Sequence, residues 1–254
     1  MPLHGPIWAL RMVVAAFCIA RCGGVAAQVG EYRNDFSVGV NAGYVMSNVG
    51  FTPKVTQAYL GGATFGISMR YVCEKYFNTI CSVMAEVNYA QVGWKEDILT
   101  EDKQSVINAV TGMPEEYSRK LGYLQIPIFA HLACGREQKG LQFFVQAGPQ
   151  IGVMLSESTE MNFNFEERNT DDRVNKVYAQ DTMAVENKFD YGIAVGAGLE
   201  YSSPKVGHFL VEARYYYGLG NLYGDSKRDY FQKSNIGNIV IKFTYLFDIT
   251  RTKK

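Results

Sequence analysis

Arg70, Glu86, Asp190, Glu200, Glu212, Arg214 and Lys242 all fall on the polar side of segments that alternate apolar with polar residues. Four carboxylates and three bases gathered on one face could line a polar permeation path or supply a carboxylate pair for acid/base chemistry. They could also neutralise one another. A buried unpaired charge costs on the order of several kcal/mol, and opposite signs on neighbouring strands remove most of that. Catalytic carboxylates need a substrate-sized cleft, so the reading adopted is a structural ion-pair network. In it Arg70 faces Glu86 across one hairpin, while Arg214 and Lys242 are shared among Glu200 and Glu212.

Other reactive side chains are sparse. Between residues 28 and 254 the histidines are His131 and His208, both beside short connections, where a Ser/His/acid arrangement would meet few substrates. No His/Cys cluster has metal-ligand spacing, and no residue is assigned a catalytic, cofactor-binding or metal role. Cys73, Cys81 and Cys134 remain in that range, an odd number that permits at most one internal pair. A Cys73–Cys81 disulfide across one hairpin turn is expected, leaving Cys134 unpaired.

The segment preceding these residues explains the compartment. Ile7 to Ala20 is apolar apart from Arg11, and Gly23-Gly24-Val25-Ala26-Ala27 ends it with small residues, which predicts a signal peptide over 1–27 cleaved before Gln28. Met12 is an alternative initiator. The chain is therefore read as exported, with residues 28–254 as the folded domain. Losing Arg11 and Arg21 leaves 23 basic against 25 acidic residues, so no basic field attracts nucleic acid. After Ala27 no apolar run reaches the ~18 residues a spanning helix needs.

What must position the charged residues is a set of eight alternating segments near 35–44, 62–71, 83–89, 123–132, 143–153, 190–200, 211–218 and 238–247. In the second, Ala63, Phe65, Ile67, Met69 and Tyr71 oppose Gly62, Thr64, Gly66, Ser68 and Arg70; in the eighth, Ile239, Ile241, Phe243, Tyr245 and Phe247 oppose Asn238, Lys242 and Thr244. A period of two over about ten residues is the pattern of a barrel strand with lipid on one face and a polar interior on the other. Pro127 interrupts the fourth and should sit where the ladder is unpaired.

The same period suits a soluble sandwich, so connection length supplies the second argument. Long connections (46–59, 95–120, 155–188, 219–235) alternate with short ones (73–81, 134–140, 202–207), as extracellular loops alternate with periplasmic turns in outer-membrane barrels. Tyr44, Tyr71, Tyr89, Trp94, Tyr123, Tyr201, Tyr217 and Tyr245 fall toward strand ends, where aromatic belts lie. The fold class is thus all-β: a closed, antiparallel, up-and-down transmembrane β-barrel of eight strands. Its interior is wide enough only for side chains or one small ligand.

Tyr123-Leu124-Gln125-Ile126-Pro127, Ala147-Gly148-Pro149, Gly196-Ala197-Gly198-Leu199-Glu200-Tyr201 and Glu212-Ala213-Arg214-Tyr215 followed by Gly218-Leu219 resemble the PorT-like outer-membrane β-barrel family of Bacteroidota. The resemblance spans about residues 35 to 247 and implies an outer-membrane barrel in a family whose founding member is linked to protein secretion. Ile239 to Phe247 also resembles the terminal strand read by the barrel assembly machinery, with Asp248 to Lys254 as an added tail. The function read from all this is a non-enzymatic barrel without cofactor whose loops bind a protein or ligand or which serves as a scaffold. Its expected partners are outer-membrane lipid and lipopolysaccharide, the assembly machinery during insertion, and a loop partner. A narrow channel or small-ligand transporter, and a lipid- or peptide-modifying enzyme, are the alternatives.

Overall fold

The computed structural model describes residues 30–135, 139–224 and 229–252; the expected leader, 1–27, lies outside the described residues. The strands are β1 (Glu31–Thr52), β2 (Gln57–Ala58), β3 (Leu60–Tyr76), β4 (Thr79–Glu96), β5 (Tyr117–Gly135), β6 (Gly140–Met161), β7 (Phe189–Ser203), β8 (Gly207–Gly218) and β9 (Lys233–Thr250). Each long strand pairs antiparallel with the next, and β9 returns to β1 from Phe36↔Thr250 to Thr52↔Lys233. The sheet closes as a ring of eight. The two-residue β2 stands outside it, paired to the end of β4 through Gln57↔Glu96.

Burial in this ring is inverted relative to a water-soluble protein. Val40, Phe65, Ile193 and Ile241 point outward, each more than half exposed, while Ser37, Ser68, Glu86 and Lys242 are enclosed. Such a surface requires lipid around it, and closure leaves no sheet edge to be satisfied there. Among the described residues no helix is long and apolar enough to cross a membrane.

The strands run longer than the ten-residue segments seen in the sequence, and at their long-loop ends the two faces exchange character. Along β5 the outward residues change from Ile128, Ile126 and Leu124 to Lys120 and Ser118, while the inward ones change from Gln125 to Tyr123, Leu121 and Tyr117. Along β1, outward Val40 and Tyr44 give way to Asn48 and Thr52 as inward Ser37 and Asn41 give way to Val45, Val49 and Phe51. Where the wall leaves the bilayer, water lies outside, so apolar groups turn inward. The long-connection end is therefore a second, conventional hydrophobic core.

Small residues make room in the lumen. A Cβ on Gly198 would stand 2.7 Å from Cζ of Phe144, and one on Gly192 2.8 Å from the Tyr216 ring. Real Cβ atoms do not approach that closely, so these glycines on β7 let two aromatic rings from β6 and β8 fill the axis. Pro127 pairs with Gln150 on β6, but the β4–β5 ladder passes from Asn88↔Gln125 to Ala85↔Ile128 without a pair at Pro127. The missing amide donor thus falls in a gap of the ladder.

Candidate functional site: the filled lumen and its cap

Halfway along the lumen Glu86 accepts hydrogen bonds from Arg214 Nη1 and Nη2, both at 3.0 Å, and from Lys242 Nζ at 2.6 Å. Arg214 Nη2 also donates to Glu212 Oε1 at 2.6 Å, and Lys242 lies 3.2 Å from Glu212. Two acids and two bases thereby cancel. Polar neighbours complete the layer: Asn88 donates to Glu86 (2.8 Å), Asn41 donates to Asn88 (2.8 Å) and Ser68 (2.7 Å), and Gln146 donates to Glu212. The Arg214 guanidinium lies over Phe129, 4.4 Å from the ring centre.

Arg70 does not join this group. Its partner is Glu200 at 2.7 Å, 130 residues away. The expected Arg70–Glu86 pair is corrected by register: β3 and β4 oppose Ser68 to Glu86 and Arg70 to Met84, placing Arg70 one step nearer the short-turn end. Glu200 correspondingly pairs with Arg70, and Arg214 and Lys242 share Glu86 with Glu212. In a closed barrel the partner across the lumen is as near as the partner across a hairpin. Asp190, at the other end of β7, accepts from Tyr216 OH at 2.6 Å.

Beside Arg70, His208 Nδ1 lies 2.8 Å from Ser202 Oγ and 2.7 Å from Glu200, and its Nε2 lies 3.1 Å from Asp248. The Ser202–His208–Asp248 row has the contacts of a catalytic triad without its access. Ser202 donates to Glu200 at 3.0 Å and is enclosed, and the small cavity of about 30 Å³ that opens here is lined by His208, Asp248, Arg70 and His131 but not by Ser202. His131 is held by Ser82 Oγ at 3.0 Å and packs on Phe144. At the short-turn end, beside the Arg70–Glu200 pair, Val72, Ile80, Ala133, Phe144, Leu210 and Leu246 form an apolar cluster.

A closed eight-strand ring with apolar residues outside and this charged packing inside agrees with the family comparison: residues 26–224 match the model of the outer membrane protein β-barrel domain. The chain belongs to that family. No curated protein matches it. Solved structures similar to this outer-membrane barrel include Neisserial surface protein A (12% identity, 84% of this chain and 97% of that one, TM-score 0.40). Others are OprG of Pseudomonas aeruginosa (12%, 86% and 98%, 0.38) and the attachment invasion locus protein Ail of Yersinia pestis (14%, 85% and 99%, 0.33).

In this outer-membrane barrel the thiols are not bridged. Cys73, Cys81 and Cys134 are all free, which corrects the expected Cys73–Cys81 disulfide. The β3–β4 ladder passes from Val72↔Ser82 to Glu74↔Cys81, so Cys73 is the bulged residue and does not face Cys81. Among the described residues no cluster of three His, Cys, Asp or Glu side chains could hold a metal.

The barrel also carries a cap that no strand pattern of the sequence announces. The connections 97–116 and 162–188, with residues 219–224 and 229–232, fold over the mouth of this barrel, burying Val106, Phe163, Val185, Leu222, Tyr223 and Phe231 against Phe51 and Trp94. Arg119 of β5 ties them together: its Nη1 donates to the carbonyls of Gln180 (3.1 Å) and Met183 (2.6 Å) and to Tyr223 OH (2.9 Å), and it pairs with Glu157. Arg173 pairs with Glu115 at 2.7 Å, and Asn108 donates to Glu115 at 2.9 Å. Burial works against the Glu115 charge, but the Asn169 amide, Arg173 and Asn108 together hold it below its ordinary range. The available signal was the face exchange in Tyr117-Ser118-Arg119-Lys120-Leu121, which places Arg119 among inward apolar residues.

The cap also carries an ordered hairpin. Asn108 Oδ1 accepts from the amides of Val110 and Thr111, both at 3.0 Å, and Ile107 bridges to Pro114. At its tip Ile107, Val110 and Met113 are 48%, 67% and 61% exposed.

Proposed function

We propose that this protein is exported by its leader and works as a non-enzymatic surface barrel, using its long-loop cap to bind a protein or surface ligand. The carrying observation is the Asn108 hairpin, which displays Ile107, Val110 and Met113 on a loop fixed by the buried Arg173–Glu115 ion pair. Ordering an apolar tip in advance lowers the entropy lost on binding. Exposed apolar residues on a rigid support are a common form of recognition surface. The filled lumen favours this reading over a narrow channel, because charged and apolar layers fill the axis with side chains. The PorT-like resemblance of the strand motifs adds a secretion-associated setting to the proposal.

A photo-crosslinking residue at position 110, compared with one at the lipid-facing position 193, tests it on intact cells. Discrete adducts at 110 that disappear when Ile107 and Met113 are changed to serine are expected. No adduct from the hairpin, combined with conductance in planar bilayers, would transfer the assignment to a channel.

A further inference from the structure

The cap contains two carboxyl groups that the ion pairs above do not account for. Glu96, the last residue of β4, and Asp181, in the 162–188 connection, are both buried and near enough for each to act on the other's charge. Glu96 accepts from Gln180 Nε2 at 2.7 Å. Asp181 Oδ2 lies 3.4 Å from Arg168, while its Oδ1 is buried without a donor. Two carboxylates cannot share an enclosed position as anions, because their repulsion adds to the desolvation of each. A proton between them satisfies the orphaned Oδ1 and removes one charge.

We propose that Glu96 and Asp181 hold one proton between them and form a latch that releases the 162–188 loop from the barrel mouth as the medium turns alkaline. The other charged and titratable groups around the pair are Arg168 and Arg173 from the same loop, Arg119 and Tyr117 from β5, and Tyr223 from the 219–232 connection. Arg173 is engaged by Glu115 and Arg119 by Glu157, so neither is left as a dedicated counter-ion for Glu96. The latch joins wall to loop: Glu96 belongs to the barrel, and Gln180 and Asp181 lie in a stretch whose only regular element is the single turn Ala179–Asp181.

Burial first, and then the Asp181 charge, push Glu96 from an ordinary 4.5 up to about 8; burial likewise raises Asp181. The closed cap thus binds the proton more tightly than an open one does. Its stabilisation is fully present below the ordinary glutamate range and is lost progressively as pH rises toward 8. Release would uncover Val106, Phe163 and Val185.

Trp94 reports on this directly. It is the only tryptophan of residues 28–254, it is fully buried, and Arg119, 5.7 Å from its ring centre, carries the contacts to Gln180 and Met183. Acrylamide quenching of the folded barrel in detergent, from about pH 5 to about pH 9, should rise roughly twofold in the wild type as the loop opens. Glu96→Gln should stay flat at the low-pH value, since its amide donates to Asp181 at every pH, and Asp181→Asn should lose the transition as well. Each variant is first checked for heat-modifiable migration, so that a misfolded barrel is not mistaken for an open cap. A flat wild-type profile, or the same rise in both variants, would overturn the latch.

Discussion

The Arg214 guanidinium meets both oxygens of Glu86 at 3.0 Å across the lumen, from a position 128 residues further along the chain. That contact ties β8 to β4, strands that do not pair, and with Lys242 on β9 it braces the ring from within.

Removing Glu86 should therefore be far more damaging than removing a surface acid. Glu86→Ala leaves Arg214 and Lys242 buried with Glu212 as their remaining carboxylate, a loss of about 3–5 kcal/mol. Urea titration followed by unboiled gel migration should show the midpoint falling sharply. Glu160→Ala, which breaks an exposed pair with Lys120, should change stability by less than about 1 kcal/mol. Equal effects of the two would mean that the quartet does not brace the barrel.

The lumen should not conduct. The Glu86 layer, the apolar cluster around Phe144 and the capped mouth lie in series, and opening any one leaves the others closed. Planar-bilayer recordings should show no steady ohmic current from wild type or from Glu86→Ala. A stable unitary conductance in the wild type would contradict the packing described.

Thiol mapping should find no bridge. Cys134 is exposed and Cys73 and Cys81 half-buried, so a maleimide added to the folded barrel should label Cys134 first. After unfolding without reductant all three should react. Recovery of a Cys73–Cys81 or Cys81–Cys134 peptide would show that the oxidised protein rearranges at the bulge.

Arg119→Met keeps the length of the side chain but deletes its bonds to Gln180, Met183 and Tyr223. Orphaning two buried carbonyls should weaken the cap by about 2–4 kcal/mol while the barrel stays heat-modifiable. Hydrogen exchange in 162–188 should accelerate strongly, with that of β7 and β8 unchanged.

Gly198→Leu would set a branched side chain against Phe144 and the Glu212 backbone. Overpacking at a point with no free axis should prevent closure, read as loss of the heat-modifiable form. The lipid-facing neighbour Ala197→Leu should fold.

Strand number, the closed up-and-down order and the face of each charged residue were legible in the sequence, because a period of two is a local property of the chain and lipid makes it strict. Glu86, Glu212, Arg214 and Lys242 could be read as inward from their immediate neighbours alone. Their partners could not: Arg70 meets Glu200 rather than Glu86 because the register of β3 on β4, together with closure of the ring, sets which side chains share a level along the axis. The bulge at Cys73, which parts it from Cys81, is equally a matter of register. The cap was least legible. Arg173 and Asp181 lie in a polar stretch that reads as solvated loop, and their burial arises only when the connections meet over the mouth of the barrel. Sequence determined which face of each strand meets lipid, since that depends on adjacent residues. The tertiary structure decided which charges meet, since that depends on distances between residues more than a hundred positions apart.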